Sequence, residues 1–243
     1  MPAPRAATGS GRGVFIAGTD TGVGKTLVSC ALLRGLAAAG LRAAGMKPVA
    51  AGARRRGGVW HNDDVEQLRA AGSVDLPRRW TNPYCFAPPV APHVAAREAG
   101  ETIRMAVIRR SYLRIVASAD VVVVEGVGGL LVPLGRRLDA AEIPSRLGLP
   151  VVLVVGLRLG CLNHALLTAD ALQSRGLVFA GWVANDIDPR MSRRMQNLDA
   201  LCKRLGAPLL GHVRHARNPR PELVVRTLDI RRLHAFILRG KTD

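Results

Sequence analysis

Short apolar runs closed by a glycine or a charge alternate along this chain with longer stretches in which Leu and Ala recur at helical spacing. Val14-Phe15-Ile16-Ala17 is the first run and predicts a buried strand that stops at Gly18. Thr26–Ala39 is rich in Leu and Ala and ends at Gly40, which predicts a helix with a glycine stop. Arg42–Met46 predicts a second strand. Asn62-Asp63 predicts the cap of a short helix running to Ala71. Pro77–Pro92 holds five prolines and reads as loop, and Thr102–Ala119 reads as a helix.

Val121–Val124 is β-branched throughout and apolar on both faces, between Asp120 and Glu125. A strand buried inside a parallel sheet has this character. Val151–Val155 repeats it. A helix over Leu162–Arg175, a strand over Val178–Val183 and a helix over Arg190–Leu205 follow. A short strand at Pro208-Leu209-Leu210 and a last helix over Leu228–Leu238 close the series. Alternation of this kind predicts an α/β fold, a mostly parallel sheet with helices on both faces. No repeat, Gly/Ser linker or composition break divides it. The expected organisation is a disordered leader over residues 1–12 and a single α/β domain over residues 13–243. Ligands of such sheets bind beyond the carboxyl ends of the strands, so the residues there are the ones to inspect.

After the first strand comes Gly18-Thr19-Asp20-Thr21-Gly22-Val23-Gly24-Lys25-Thr26. Glycines let a backbone curl so that its N–H groups face a phosphate, and the following helix N-terminus adds positive potential. In a P-loop of this kind Lys25 reaches the β- and γ-phosphates and the Thr26 hydroxyl binds Mg²⁺. The first glycine lies one residue earlier than in the standard G-x-x-x-x-G-K-[ST] spacing.

Other strand ends add to this site. Lys47 follows the second strand and is either a γ-phosphate or intermediate-binding cation or a plain surface lysine. Glu125 ends an apolar strand and opens Gly126-Val127-Gly128-Gly129, where backbone can approach a ligand closely. Mg²⁺ takes few carboxylates plus phosphate oxygens and water, so Thr26, Asp64 and Glu125 make a sensible set. Ala184-Asn185-Asp186 ends the Val178–Val183 strand, and its amide can serve a nucleobase or an Asx turn. His93 and His164 lack partners in the sequence pattern and read as structural.

Composition narrows the partners. Lys and Arg number 35 against 18 Asp and Glu, a formal charge of +17, with clusters such as Arg54-Arg55-Arg56, Arg136-Arg137 and Arg231-Arg232. The balance attracts polyanions, nucleotides or nucleic acid. Aromatic residues do not alternate with the arginines as a single-strand stacking groove requires, so nucleic acid is the weaker expectation. Cys30, Cys85, Cys161 and Cys202 fit no zinc spacing, and free thiols in a reducing cytoplasm account for them. No apolar run is long enough for a membrane span, and the leader has none that could act as a signal peptide.

The ordered set of motifs resembles the dethiobiotin synthetase family. Gly18-Thr19-Asp20-Thr21 with Val23-Gly24-Lys25-Thr26 is similar to its phosphate loop, extra residue included. Lys47-Pro48-Val49-Ala50 with Gly52 resembles its lysine segment. Asn82-Pro83-Tyr84 with Phe86, and Pro92-His93, resemble its proline-rich loop. Glu125-Gly126 with Gly128-Gly129 resembles its acidic glycine turn. Gly160-Cys161-Leu162-Asn163-His164, Gly181-Trp182-Val183-Ala184-Asn185 and Pro208-Leu209-Leu210-Gly211 resemble later segments, so the likeness spans residues 14 to 211.

The resemblance implies a P-loop NTPase-type fold and an ATP- and Mg²⁺-dependent cyclo-ligase that makes the ureido ring of dethiobiotin from 7,8-diaminononanoate and CO₂, in a cytoplasmic homodimer. It gives Lys25 and Lys47 the catalytic charge, and Thr26, Asp64 and Glu125 the metal. It assigns Gly22, Val23, Gly24, Lys25, Thr26, Leu27, Asp64, Glu125, Gly126, Val127, Gly128, Asn185 and Asp186 to the nucleotide. It assigns Thr21, Lys47, Leu159, Gly160, Cys161, Leu162 and Asn163 to the substrate, the last five across the dimer interface. Two places depart from the family pattern: Ala51 stands where a serine is usual, and Gly211-His212-Val213-Arg214 replaces a Gly-x-Ile-Pro turn. The competing expectation is a P-loop ATPase of partitioning type that binds DNA or a partner protein.

Overall fold

A computed structural model of the chain describes residues 12–239, with side chains to Ile237. Apart from Arg12, the leader expected over residues 1–12 lies outside the described residues. The chain runs β1 (Gly13–Gly18), α1 (Lys25–Ala38), β2 (Ala43–Met46), β3 (Val49–Ala50), β4 (Arg54–Arg56), β5 (Val59–His61), α2 (Asp63–Ala71), α3 (Arg78–Thr81), β6 (Tyr84–Cys85) and α4 (Pro92–Glu98). It continues through α5 (Met105–Val116), β7 (Val121–Glu125), α6 (Glu142–Leu147), β8 (Val151–Leu157), α7 (Cys161–Ser174), β9 (Phe179–Asp186), α8 (Arg194–Arg204), β10 (Leu209–Val213), α9 (Pro221–Val224), a 3₁₀ turn at Val225–Thr227 and α10 (Ile230–Arg239).

Among the described residues, six strands form one sheet in the order β10-β9-β8-β1-β7-β2, and every neighbouring pair is parallel. Alternate residues feed two apolar layers. Phe15, Val122, Val124, Leu153 and Val155 face α5, α7 and α8; Val14, Ile16, Val121, Val123, Val152 and Val154 face α1, α2 and α10. The valine runs are therefore apolar on both faces because each face carries its own helical layer. A bulge near Ala180 shifts the register of β9, so Ala180 and Trp182 point to opposite layers.

Register places the site. Met46 pairs with Val124, so Lys47 and Glu125 leave the sheet side by side, and Ile16 pairs with Glu125 just before the Gly18 loop begins. The order of the sheet puts β1 between β7 and β8, so residues ending β7 and β8 flank that loop on opposite sides.

Some expected elements differ. Pro77–Pro92 is not all loop, because its prolines sit at edges: Pro77 caps α3 and Pro92 opens α4, while Tyr84 pairs with Val49 in a small second sheet. The helix expected from Thr102 starts at Met105, and that expected from Arg190 starts at Arg194, after Arg193 takes a left-handed conformation with φ 51°. The β4–β5 hairpin, α6 and α9 carried no strong periodic signal. Among the described residues no helix is long and apolar enough to cross a membrane.

Candidate functional site

The loop after β1 is held from three sides. Its Thr19 N–H donates to Val154 O at 3.1 Å, and Val23 is fully buried. Gly24 caps α1 at φ 92°, a conformation in which an added Cβ would also lie 2.2 Å from Asn185 Nδ2. The first turn of α1 contains no acidic residue, so its N–H groups and dipole are left for an external anion. Lys25 is buried with its Nζ 2.8 Å from Asp20 O. Burial, and then the nearby Lys47 charge, pull its pKa down to about 8, against the pull of Glu125 and Asp64.

Three further elements converge on Thr26. Its Oγ1 lies 2.9 Å from Asp64 Oδ1 at the start of α2 and 3.0 Å from Glu125 Oε1 at the end of β7. Lys47 Nζ stands 2.9 Å from Asp64 Oδ2 and 2.5 Å from Glu125 Oε1. Burial works against the Lys47 charge, but Glu125 and Asp64 outweigh it and hold its pKa above the usual lysine range. Burial likewise opposes the Asp64 charge, yet Lys47 and the Thr26 hydroxyl bring its pKa below the usual carboxylate range. Asn82 Nδ2 donates to Lys47 O at 2.7 Å and fixes the turn that aims the lysine inward.

Glu125 is wholly buried, and its Oε2 meets no protein donor. A buried carboxylate oxygen without a partner is costly unless a cation satisfies it. Two carboxylates and a hydroxyl suit Mg²⁺, which completes its shell with phosphate oxygens and water. Among the described residues no group of three or more His, Cys, Asp or Glu gathers as a metal cage.

These groups open into a cavity of about 680 Å³. Of the expected site residues, Thr21, Gly22, Gly24, Lys25, Thr26, Lys47, Asp64, Glu125, Val127 and Gly128 line it. Val23, Leu27 and Gly126 are next to it without lining it; Gly126 N–H instead donates to Ile16 O at 3.0 Å. Asn62, Pro89, Val90, Ala91, Pro92 and Val132 complete the wall and were not expected as site residues. The run of prolines was a signal for the first part of that wall, but only tertiary packing shows which way it faces. Ala51, flagged as a departure, is on the wall.

Asn185, Asp186 and the segment Leu159–Asn163 lie outside this cavity. The Asn185 amide donates to Val23 O at 2.8 Å, so it holds the phosphate loop from behind. Asp186 is buried against His212 Nε2 at 2.8 Å and Arg194 at 3.3 Å, which is where the His212 departure leads. Leu159 is 94% exposed, Gly160 caps α7 at φ 92°, and Cys161 is buried. Arg158, just ahead of them, pairs with Asp20 of the phosphate loop at 2.5 Å.

Residues 12–221 match the AAA domain family. The solved structures that resemble the chain include the MinD cell division protein of Aquifex aeolicus, at TM-score 0.57 and 14% identity over 92% of this chain and 97% of that one. The MinC:MinD complex of the same organism gives TM-score 0.56 and 16% identity over 92% and 96%. At such identities these show a shared P-loop fold alone. The ATP-dependent dethiobiotin synthetase BioD of Aromatoleum aromaticum (strain DSM 19018 / LMG 30748 / EbN1) is 55% identical over 219 residues, 90% of this chain and 97% of that protein. With that identity carried across nearly the whole relative, and a lysine, two carboxylates and a P-loop threonine meeting at one cavity, the chain belongs to the ATP-dependent dethiobiotin synthetase family.

Proposed function

We propose that the protein closes the ureido ring of dethiobiotin from 7,8-diaminononanoate, CO₂ and ATP, releasing ADP and phosphate. One observation carries the assignment of roles: Lys47 Nζ lies 2.5 Å from Glu125 Oε1, beside the Thr26 hydroxyl that opens the phosphate-loop helix. A cation beside the carboxylates of a P-loop can meet both a γ-phosphate and a second anion. A plain NTP-hydrolysing site has no need of it.

In this reading one amine of the diamine attacks CO₂, loses a proton and becomes a carbamate. A carbamate oxygen takes the γ-phosphoryl group while ADP leaves. The second amine then attacks the carbonyl carbon, expels phosphate and closes the ring. Lys25 and Lys47 both line the cavity and would offset the charge that gathers as carbamate approaches triphosphate. This is placement and electrostatic stabilisation rather than covalent catalysis. Thr26, Asp64 and Glu125 would hold Mg²⁺, which neutralises phosphate charge and orients the triphosphate. The α1 N-terminus and the loop from Gly22 to Leu27 take the phosphates. Val127 and Gly128 line the cavity beyond Glu125, with Gly126 tied to Ile16 O behind them. Asn185, which holds Val23 O of the phosphate loop, and Asp186 beside it would serve the base.

Thr21 and the apolar wall of Val90, Val127 and Val132 suit the aliphatic diamine. Its carboxylate falls to the α7 N-terminus, Leu159 to Asn163, of a second copy. Leu159 is 94% exposed, so a second copy of the chain can reach it. The four thiols, all unpaired, fit a cytoplasmic setting.

Phosphate release should require diaminononanoate and bicarbonate together. ATP turnover that ignores both would refute the reading. The partitioning-type alternative gains no support, since the likeness to MinD is one of fold only.

A further inference from the structure

The arginine run Arg54-Arg55-Arg56, which the ring-closing chemistry leaves unused, is strand β4 of an exposed hairpin. Both ends of the hairpin are anchored in the cavity wall. Asn62 Nδ2 donates to Ala51 O at 3.0 Å, and both residues line the cavity. Ala53 N–H donates to Phe86 O at 2.9 Å. The tip turns through Gly57 and Gly58, at φ 54° and 80°, a tight turn that holds the two strands in register. Arg55 lies over the Trp60 ring at 6.0 Å, and Arg78 reaches Trp60 O at 3.5 Å while pairing with Glu66. The arm is thus tied down rather than loose.

Its charge is not cancelled. Arg54, Arg55 and Arg56 are exposed and make no ion pair with any described residue. Asp63 at the base is exposed too, but Asp64 and Glu66 are engaged by Lys47 and Arg78. Three extended residues span about 10 Å. Arg54 pairs with His61 and Arg56 with Val59, one and three residues along β5 from Asn62 on the cavity wall, so the strand stands within about one or two Debye lengths, each ~8 Å at physiological ionic strength, of that wall.

Resting on the ring-closing reading above, we infer that this arginine hairpin steers the nucleoside triphosphate into the cavity, acting on its approach and not on its bound state. The two ligands differ in charge. A triphosphate is a polyanion with or without Mg²⁺, whereas a diamine with one carboxylate has no net negative charge. The hairpin therefore speeds capture of the nucleotide and gives no advantage to the diamine.

The test is stopped-flow association of a fluorescent ATP analogue with the intact protein. In R54Q/R55Q/R56Q the association rate should fall about three- to tenfold at low ionic strength, and the difference should vanish at ~0.5 M salt. The dissociation rate should stay within about 1.5-fold, and R54K/R55K/R56K should restore association. R231Q/R232Q, on α10 against the far half of α1, removes two charges remote from the cavity and should leave the rate alone. Unchanged association in the Gln triple, an effect confined to dissociation, failure of the Lys triple to rescue, or equal slowing in R231Q/R232Q would each overturn the inference. Wild-type protein that binds no nucleotide would instead overturn the ring-closing reading beneath it.

Discussion

Lys47 and Glu125 form a buried ion pair, Nζ to Oε1 at 2.5 Å, with the side chains 5% and 0% exposed. The other oxygen of Glu125 has no protein partner. Removing Lys47 therefore strands a carboxylate in the core, and a broken buried pair costs about 3–5 kcal/mol. Lys47→Met should lose that much stability in denaturant unfolding and abolish phosphate release. Lys47→Met with Glu125→Gln should recover most of the stability and none of the activity. Recovery of neither would mean that Lys47 supports the fold in some other way.

Thr26 touches both carboxylates through one hydroxyl. Thr26→Ala should cost about 1.5–3 kcal/mol of stability, the size of a net hydrogen bond to a charged group. The Mg²⁺ concentration for half-maximal turnover should rise by ~10-fold or more, as loss of a metal-orienting group does. An unaltered Mg²⁺ titration would remove Thr26 from the metal site.

Asn185 and Gly24 bear on the phosphate loop together. Asn185→Ala frees Val23 O, so nucleotide affinity measured by calorimetry should weaken several-fold while turnover at saturation changes less. Gly24→Ala meets two obstacles: a φ of 92°, whose strain is about 1–3 kcal/mol, and a Cβ 2.2 Å from Asn185 Nδ2. The double variant removes the collision and leaves the strain, so it should recover affinity in part. Full recovery would show that backbone conformation at Gly24 is immaterial.

Cys30 is 1% exposed, and burial pushes its thiol up to about 12 from an ordinary 9.0. It should resist alkylation in the native state at pH 8, whereas exposed Cys202 reacts, as peptide mass mapping would record. The folded state favours the neutral thiol. Its contribution to stability is therefore complete below pH 9 and is lost as pH rises towards about 12. Cys30→Ala should flatten the alkaline fall in stability, and an identical fall in the variant would argue against the shift.

The sequence alone determined the strands of the six-stranded sheet, since runs such as Val121–Val124 can only be buried on both faces, and it determined the phosphate loop, since glycines, Lys25 and Thr26 act within a few residues of one another. It also marked Lys47 and Glu125 as strand ends. Tertiary structure decided which of these meet. The Thr26 contacts cross 38 and 99 residues, the Asn185 hold on Val23 crosses 162, and the Arg158–Asp20 pair crosses 138. Local pattern states which face of an element is apolar, and not which other strand it will lie beside. That choice follows from the packing of both helical layers at once, and with it came the orphaned Glu125 oxygen, the proline wall and the arginine hairpin rooted between Ala51 and Asn62 of the cavity wall.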